Sequence, residues 1–163
     1  MGADFAKSFA VWLVCEGSEP AGIEQTTYDE YRRRHSLPPQ PVAKITDAET
    51  QGLLREFYWQ PYRLGGLPQP WATFCLVEAS NLPSGAGVKI AQASLAWLGV
   101  YDGQIDGDVG PLTIEAAGKA PTRQDVAITA ALGHYAVSSP ENIQRGLRRR
   151  LAVLRQACLE QAQ

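Results

Sequence analysis

Apolar residues recur at helical spacing in the first segment of the chain, and the same stripe ends in an acidic residue. The pattern predicts an opening helix that carries a carboxylate at the edge of its buried face. Burial disfavours the charged form of a carboxyl group and raises its pKa, which is how a glutamate becomes a general acid near neutral pH. The alternative is a helix-end residue that reaches solvent or a capping partner. The stripe consists of Phe5, Phe9, Trp12, Leu13 and Glu16, and Gly17 and Pro20 terminate it.

Two capping signals predict the next pair of helices. Thr27 with Glu30, and Thr46 with Glu49, have the hydroxyl-to-glutamate spacing of a capping box. The first of these helices is expected to stop before Pro38-Pro39, and its three consecutive arginines are expected on a solvated face near its C-terminal dipole. They are Arg32, Arg33 and Arg34.

The second capped helix carries a dense aromatic cluster before Pro61 ends it. Leu53 and Leu54 precede it at core spacing. Aromatic residues at helical spacing usually face inward, so core packing is the preferred interpretation, and stacking on a sugar is the alternative. The cluster is Phe57-Tyr58-Trp59, with Tyr62 beyond.

The middle of the chain contains a segment that is apolar on all sides, Ala72 to Val77. Such a run is typical of the central helix of a globular α-protein. Leu82 to Gly87 interrupts it, and a further amphipathic helix follows and ends at Gly99. That helix carries Val88, Ile90, Ala91, Leu95 and Leu98.

Asp-Gly turns dominate residues 101–110, and Pro111 is expected in the first turn of a helix through Ala117. The alternating acidic residues do not meet the spacing of an EF-hand calcium loop, and turn formation explains them. Two more helices are predicted, from about Thr122 to Val137 and from Pro140 to near the end. In the last, one side is apolar and the other is basic, which indicates either a solvated face or a dock for an acidic partner or an anionic wall polymer. Its basic residues are Arg145, Arg148, Arg149 and Arg155.

Strand signals are nearly absent, so the predicted fold class is all-α, around the central apolar helix. The 163 residues suit one domain, and the net charge of −2 argues against general nucleic-acid binding. No apolar run approaches a membrane span, and the first residues lack the pattern of a signal peptide. The three cysteines, Cys15, Cys75 and Cys158, are expected as buried small hydrophobes. With only two histidines besides, we expect no metal site and no cofactor.

Several of these stretches, in this order, resemble glycoside hydrolase family 108, the N-acetylmuramidase-like family with a lysozyme-like helical fold. Its Glu-Gly after an apolar helix is matched by Glu16-Gly17, and its Tyr-Trp after a capped helix by Tyr58-Trp59. Two further matches are Gly22-Ile23-Glu24 with Thr27 to Arg32, and Glu78 to Asn81 followed by Gly85 and by Gln92 in the next helix. The last match is Asp106 to Thr113, which is similar to a peptidoglycan-binding motif.

The resemblance implies a muramidase that cleaves the β-1,4 bond between N-acetylmuramic acid and N-acetylglucosamine, with Glu16 as general acid. Glu24 or Glu19 is then the candidate second carboxylate, and Thr26 could orient a water. The remaining residues implied to bind the glycan are Tyr58, Glu78, Asn81 and Gln92. It also implies a lysozyme-like domain over residues 1–118, with the peptidoglycan-binding-type motif at 102–113, and a C-terminal helical pair over 119–163 packed on it.

The sequence departs from the family directly after Glu16. The family has a longer loop there with Asp-Pro-Gly-Gly-x-Thr, whereas only Ser18 to Ala21 separate Gly17 from Gly22. A second hypothesis is therefore a catalytically degenerate domain that binds the wall or serves as a structural part of a phage tail or injection particle, which the arginine-rich last helix would contact. Under either hypothesis the protein is made in the cytoplasm and acts at the bacterial cell wall or within such a particle.

Overall fold

The computed structural model describes residues 2–16, 22–80, 85–120 and 156, and they form an all-α fold as predicted. No strand occurs within these ranges. A π-helical turn, Arg55–Trp59, continues the third helix, and short 3-10 turns lie at Val42–Lys44 and Leu64–Gly66. The helices are α1 (Phe5–Glu16), α2 (Gln25–Arg34), α3 (Asp47–Leu54), α4 (Gln69–Ala79), α5 (Ala86–Trp97) and α6 (Pro111–Lys119).

Helix α4 is the central helix that the apolar run predicts. Every residue from Pro70 to Ala79 is buried, and α1 and α5 pack against it. The approach of α5 depends on Gly87, because a Cβ there would lie 3.0 Å from the Cys75 carbonyl oxygen and 3.1 Å from the Ala79 nitrogen. Cys15 and Cys75 are both buried, in agreement with the prediction.

Helices α1 and α4 run parallel, as hydrogen bonds at three positions along them show. At the start, the Asp4 amide donates to Gln69 Oε1 over 2.6 Å. One turn on, the Ser8 and Thr73 hydroxyls share a buried hydrogen bond of 2.9 Å. Near the other end, Trp12 Nε1 donates to Ser80 Oγ over 2.8 Å. The C-terminal ends of the two helices therefore lie at the same end of the molecule.

Two details of the predicted opening elements are wrong. Leu13 is 37% exposed, since one residue of helix turns it about 100° away from Trp12, which is 2% exposed. Helix α2 begins at Gln25, with Glu24 as N-cap and no side-chain cap, so Thr27 lies inside the first turn. The second capping box is confirmed, because Thr46 and Glu49 exchange both of its hydrogen bonds.

Arg32 is also not on a solvated face as predicted, although Arg33 and Arg34 are exposed. It is buried, donates to the Pro38 carbonyl and pairs with Glu49. Tyr28 is fully buried, accepts from Arg32 over 2.8 Å and donates to Glu49 over 3.0 Å. A buried guanidinium needs such partners because an unpaired buried charge is strongly unfavourable. The network fixes the start of α3 against α2.

The predictions for the last part of the chain lie outside the described residues. They concern the two C-terminal helices, the arginine-rich face and Cys158. Pro111 is the first residue of α6, as predicted. Among the helices described, none is long and apolar enough to cross a membrane.

Candidate functional site

A surface cleft of about 410 Å³ lies where the first turn of α2, the π-helical turn and the end of α4 meet. Hydroxyl, carboxylate and aromatic groups face it together, a combination that suits a carbohydrate, which needs both hydrogen bonds and flat apolar contacts. The lining residues are Thr26, Thr27, Glu30, Phe57, Tyr58, Tyr62 and Ala79.

The aromatic cluster divides between core and cleft, so core packing is confirmed for Trp59, and stacking on a sugar stays a prediction for the residues at the cleft. Trp59 is buried and its ring meets Phe5 edge-on at 5.3 Å. Phe57, Tyr58 and Tyr62 are partly buried and line the cleft. Because a π-helical turn holds an extra residue, it breaks the simple α-helical spacing from which inward and outward positions are counted.

The Tyr58 side chain is partly buried, and its hydroxyl is hydrogen-bonded with Thr27. Burial raises the pKa of its phenol, while a hydrogen bond with Thr27 acts in the opposite direction and the nearby Tyr62 and Glu24 add to the rise. Its hydroxyl is therefore a neutral group at physiological pH. A neutral phenol next to a carboxylate can donate a hydrogen bond to a sugar hydroxyl and present its ring face for stacking.

Glu30 is a carboxylate in the cleft that the sequence did not single out as a site residue. Hydrogen bonds from Arg33 and then Arg34 lower its pKa to about 2, so it is ionised throughout the neutral and mildly acidic range. A carboxylate of this kind cannot serve as a general acid. Its spacing from Thr26 and Thr27, three to four residues along one helix, is the signal that could have placed it on the same face.

The cleft wall beside Glu30 carries alternating charges. The Arg34 guanidinium lies 4.5 Å from the centre of the Phe57 ring and also bridges Glu30 and Glu56, at 2.7 and 3.2 Å. Glu56 accepts from His35 Nε2 at 2.8 Å, and this bond, together with Arg34, lowers the pKa of Glu56. These pairs orient Phe57, which in turn forms part of the cleft.

Glu16, the candidate acid, is the last residue of α1 and is partly buried. It follows Trp12 by one helical turn on the same face. Since Trp12 bonds to Ser80 and the helices are parallel, Glu16 lies one turn of α1 further on, toward the end of α4 at which Ala79 lines the cleft. It is not itself among the residues that line this cleft.

The other predicted site residues are distributed unevenly. Glu24 is exposed at the N-cap of α2, and the Thr26 hydroxyl donates to its carboxylate over 3.4 Å. Thr26 lines the cleft together with Tyr58, and Glu24 is near enough to Tyr58 for its charge to raise the pKa of that phenol. Glu78 is fully buried within α4. Glu19 and Asn81 lie outside the described residues.

Gln92 is fully buried and bonds to the Asp-Gly loop. Its amide nitrogen donates to Asp106 Oδ1 at 2.8 Å and to the Asp108 carbonyl at 3.0 Å, and it also approaches the hydroxyls of Tyr101 and Thr113 at 3.2 Å. Its oxygen accepts from the Gly107 amide at 2.9 Å. Gly107 adopts a φ of +85°, which suits glycine at this turn. The loop is thus shaped by one buried side chain, and Gln92 does not reach the cleft lining.

Acidic residues in this loop act as turn formers. Asp106 Oδ1 accepts from the Asp108 amide at 2.9 Å, and with the Gln92 bond this lowers the pKa of Asp106. Within the described ranges, no group of three or more histidine, cysteine or acidic side chains is arranged to hold a metal ion.

The described residues thus form an all-α fold around one buried helix, with a cleft that carries hydroxyls, carboxylates and aromatic rings. Residues 17–81 match the family described as glycosyl hydrolase 108, so the resemblance is confirmed over this segment. The match supports a peptidoglycan hydrolase in general. All residues that line the cleft fall within the match, and Glu16 lies directly before its first residue.

The fold is similar to that of a solved bacterial protein. The structure of SagA from Brucella abortus superposes with a TM-score of 0.72 at 19% sequence identity, and the alignment covers 98% of this chain and 95% of that one. At this identity the likeness concerns the fold. No protein with a curated description matches the chain significantly.

Proposed function

We propose that the protein is a muramidase that cleaves the β-1,4 bond between N-acetylmuramic acid and N-acetylglucosamine, with Glu16 as general acid. The observation that supports this proposal is the bond from Trp12 to Ser80, because it fixes the end of α1, where Glu16 follows Trp12 by one turn, against the end of α4, whose Ala79 lines the cleft. Glu30, the carboxylate that lines the cleft, is ionised and is therefore unsuited to this role.

The reaction needs an acid that protonates the leaving glycosidic oxygen and a second group that activates water or stabilises the positive charge on the sugar. We assign the second role to Glu24, because its carboxylate is exposed and lies near Thr26 and Tyr58 at the cleft. Thr26 then orients the attacking water. Glu19, which follows Glu16 closely in the chain, is the alternative second carboxylate.

Glycan binding is assigned to the cleft residues Thr26 and Tyr58, with Asn81 beyond the end of α4. Glu78 and Gln92 are fully buried, so we assign them a supporting role. In this assignment Gln92 fixes the loop that holds the peptidoglycan-binding-type motif, and the glycan does not contact it. The whole unit acts on wall glycan without a cofactor.

Cleavage of purified peptidoglycan by the wild type and by Glu16→Gln tests the proposal. We expect the wild type to lower the turbidity of a wall suspension and to release reducing ends on muramic acid, which borohydride reduction identifies. Loss of the acid is expected to reduce the rate by at least about 100-fold. Equal rates for the two proteins would contradict the role of Glu16.

Glu115→Gln is a matched control, because Glu115 is an exposed helix glutamate paired with Lys119 on α6 and does not line the cleft. It should retain the wild-type rate.

The second candidate function, a degenerate domain that binds wall or joins a phage-like particle, is favoured by the short segment after Glu16. A more open site would hold water less well and would weaken catalysis. Sedimentation with insoluble peptidoglycan distinguishes the two. Binding without any release of reducing ends would support the degenerate domain, and cleavage would exclude it.

A further inference from the structure

Hydrogen bonds between α1 and α4 include one group at the N-terminal end of the helix pair and another at the C-terminal end. At the N-terminal end, the Gln69 side chain bonds to the backbone amide and carbonyl of Asp4 and to the Ser8 hydroxyl, over 2.6, 3.1 and 2.8 Å. At the C-terminal end, the link is the 2.8 Å bond from Trp12 to Ser80. Only the second group lies near Glu16.

The direction of the bonds at the C-terminal end is fixed by their chemistry. An indole N–H can only donate and a carbonyl can only accept. Ser80 therefore accepts from Trp12 and donates to the Val77 carbonyl at 3.0 Å. The hydroxyl thus joins the indole of α1 to a backbone carbonyl in the last turn of α4.

We propose that Trp12 and Ser80 are a positioning pair that fixes the end of α1 and so holds Glu16 in the orientation that the proposed reaction needs. Trp12 is 2% exposed, so its ring cannot move without disturbing the core, and Glu16 follows it by one turn on the same face. Because Ser80 adjoins Ala79, the bond fixes the end of α1 relative to the cleft wall. This inference rests on the proposed function, since it assigns the pair a role in the same reaction.

Ser80→Ala and Trp12→Phe test the pair, because each removes one partner and keeps most of the packing volume. We expect each to lower kcat about tenfold with little change in KM, because a small misplacement of a catalytic group affects the chemical step more than binding. Ser80→Thr keeps a hydroxyl at this position, so its kcat should stay close to the wild-type value, in contrast to Ser80→Ala. The double variant should lose no more than either single variant, since both remove the same bond.

Ser8→Ala is the matched control. It removes a buried hydroxyl that links the same two helices at their other end. Its thermal stability should fall at least as much as that of Ser80→Ala, while kcat stays at the wild-type value. Equal loss of kcat in Ser8→Ala and Ser80→Ala, or full activity in Ser80→Ala, would overturn the positioning role.

A readout that does not depend on activity separates this inference from the proposed function. In protein labelled with ¹³C at glutamate side chains, the carboxyl signal of Glu16 gives its titration midpoint. The midpoint should move in Ser80→Ala and Trp12→Phe and stay unchanged in Ser8→Ala. If the wild type cleaves no glycan but the midpoint moves in this pattern, the proposed function fails and the positioning stands. If cleavage occurs and the midpoint is the same in all variants, the positioning fails alone.

Discussion

At the scale of single residues, the cleft distinguishes groups that hold charge from groups that can release a proton. Glu30 has two arginines as partners, and its pKa of about 2 keeps it ionised. Tyr58 has a raised pKa because it is buried, so it stays neutral. Neither group is suited to donate a proton near neutral pH. For the acid role we propose Glu16, the last residue of α1, which follows the buried Trp12 by one helical turn.

Tyr58 offers a direct test of sugar stacking. Tyr58→Phe keeps the ring and removes the hydroxyl, whereas Tyr58→Leu removes the flat face. We expect Tyr58→Leu to raise KM for peptidoglycan fragments about fivefold, since an aromatic contact is worth roughly 1 kcal/mol. Tyr58→Phe should have a smaller effect. Initial rates over a range of fragment concentrations would measure both.

Trp59→Phe serves as the contrasting variant, because Trp59 is buried against Phe5 and does not line the cleft. It should lower stability and leave KM unchanged. A KM for Tyr58→Leu equal to that of the wild type would exclude stacking at this position.

At the scale of secondary-structure elements, Gly87 permits the close approach of α5 to α4. A Cβ on Gly87 would lie 3.0 Å from the Cys75 carbonyl oxygen, 3.1 Å from the Ala79 nitrogen and 3.2 Å from the Glu78 Cβ. Two of these atoms belong to the backbone of α4 and cannot move aside. We expect Gly87→Ala to lower the free energy of unfolding by about 1–3 kcal/mol, as overpacking commonly does. Urea unfolding followed by circular dichroism would measure it.

Gly118→Ala on α6 is the control for helix propensity. A Cβ there would meet no atom within 4 Å, so the substitution should stabilise the protein by up to about 1 kcal/mol. Similar effects of the two substitutions would show that propensity, and not the contact with α4, determines the outcome at Gly87.

The central helix, the capped start of α3 and the proline at the start of α6 could all be predicted from the sequence, because each follows from local spacing. The burial of Arg32 could not, since it depends on Glu49 and Pro38, which are distant in sequence. The division of the aromatic cluster depends on the π-helical turn, for which the sequence carries no spacing signal. The site was predicted as a set of residue types, but the parallel packing of α1 on α4, which brings Glu16 toward the cleft, is a tertiary feature.

At the scale of the whole molecule, several ionised carboxylates link α2 to the segment that follows it. Glu30 bonds to Arg33 and Arg34 within α2, and Glu56 bonds to His35 and Arg34. Burial opposes the ionised form of Glu49, but bonds from Thr46 and Tyr28 and the charge of Arg32 prevail, so its pKa is lowered. All three groups therefore bind protons less readily in the folded chain than in the unfolded one.

Linkage between protonation and folding then predicts acid sensitivity. A carboxyl group with a lowered pKa in the folded state contributes stability above its unfolded pKa and loses it as the pH falls through its folded pKa. For Glu30 this window extends from pH 4.5 down to about pH 2.

We expect Glu30→Gln to be less stable than the wild type at neutral pH and to lose less stability across that window, as thermal unfolding at a series of pH values would measure. Parallel curves for the two proteins would contradict the assignment. The same window leaves Glu30 ionised at mildly acidic pH, so Glu30 is not expected to donate a proton there.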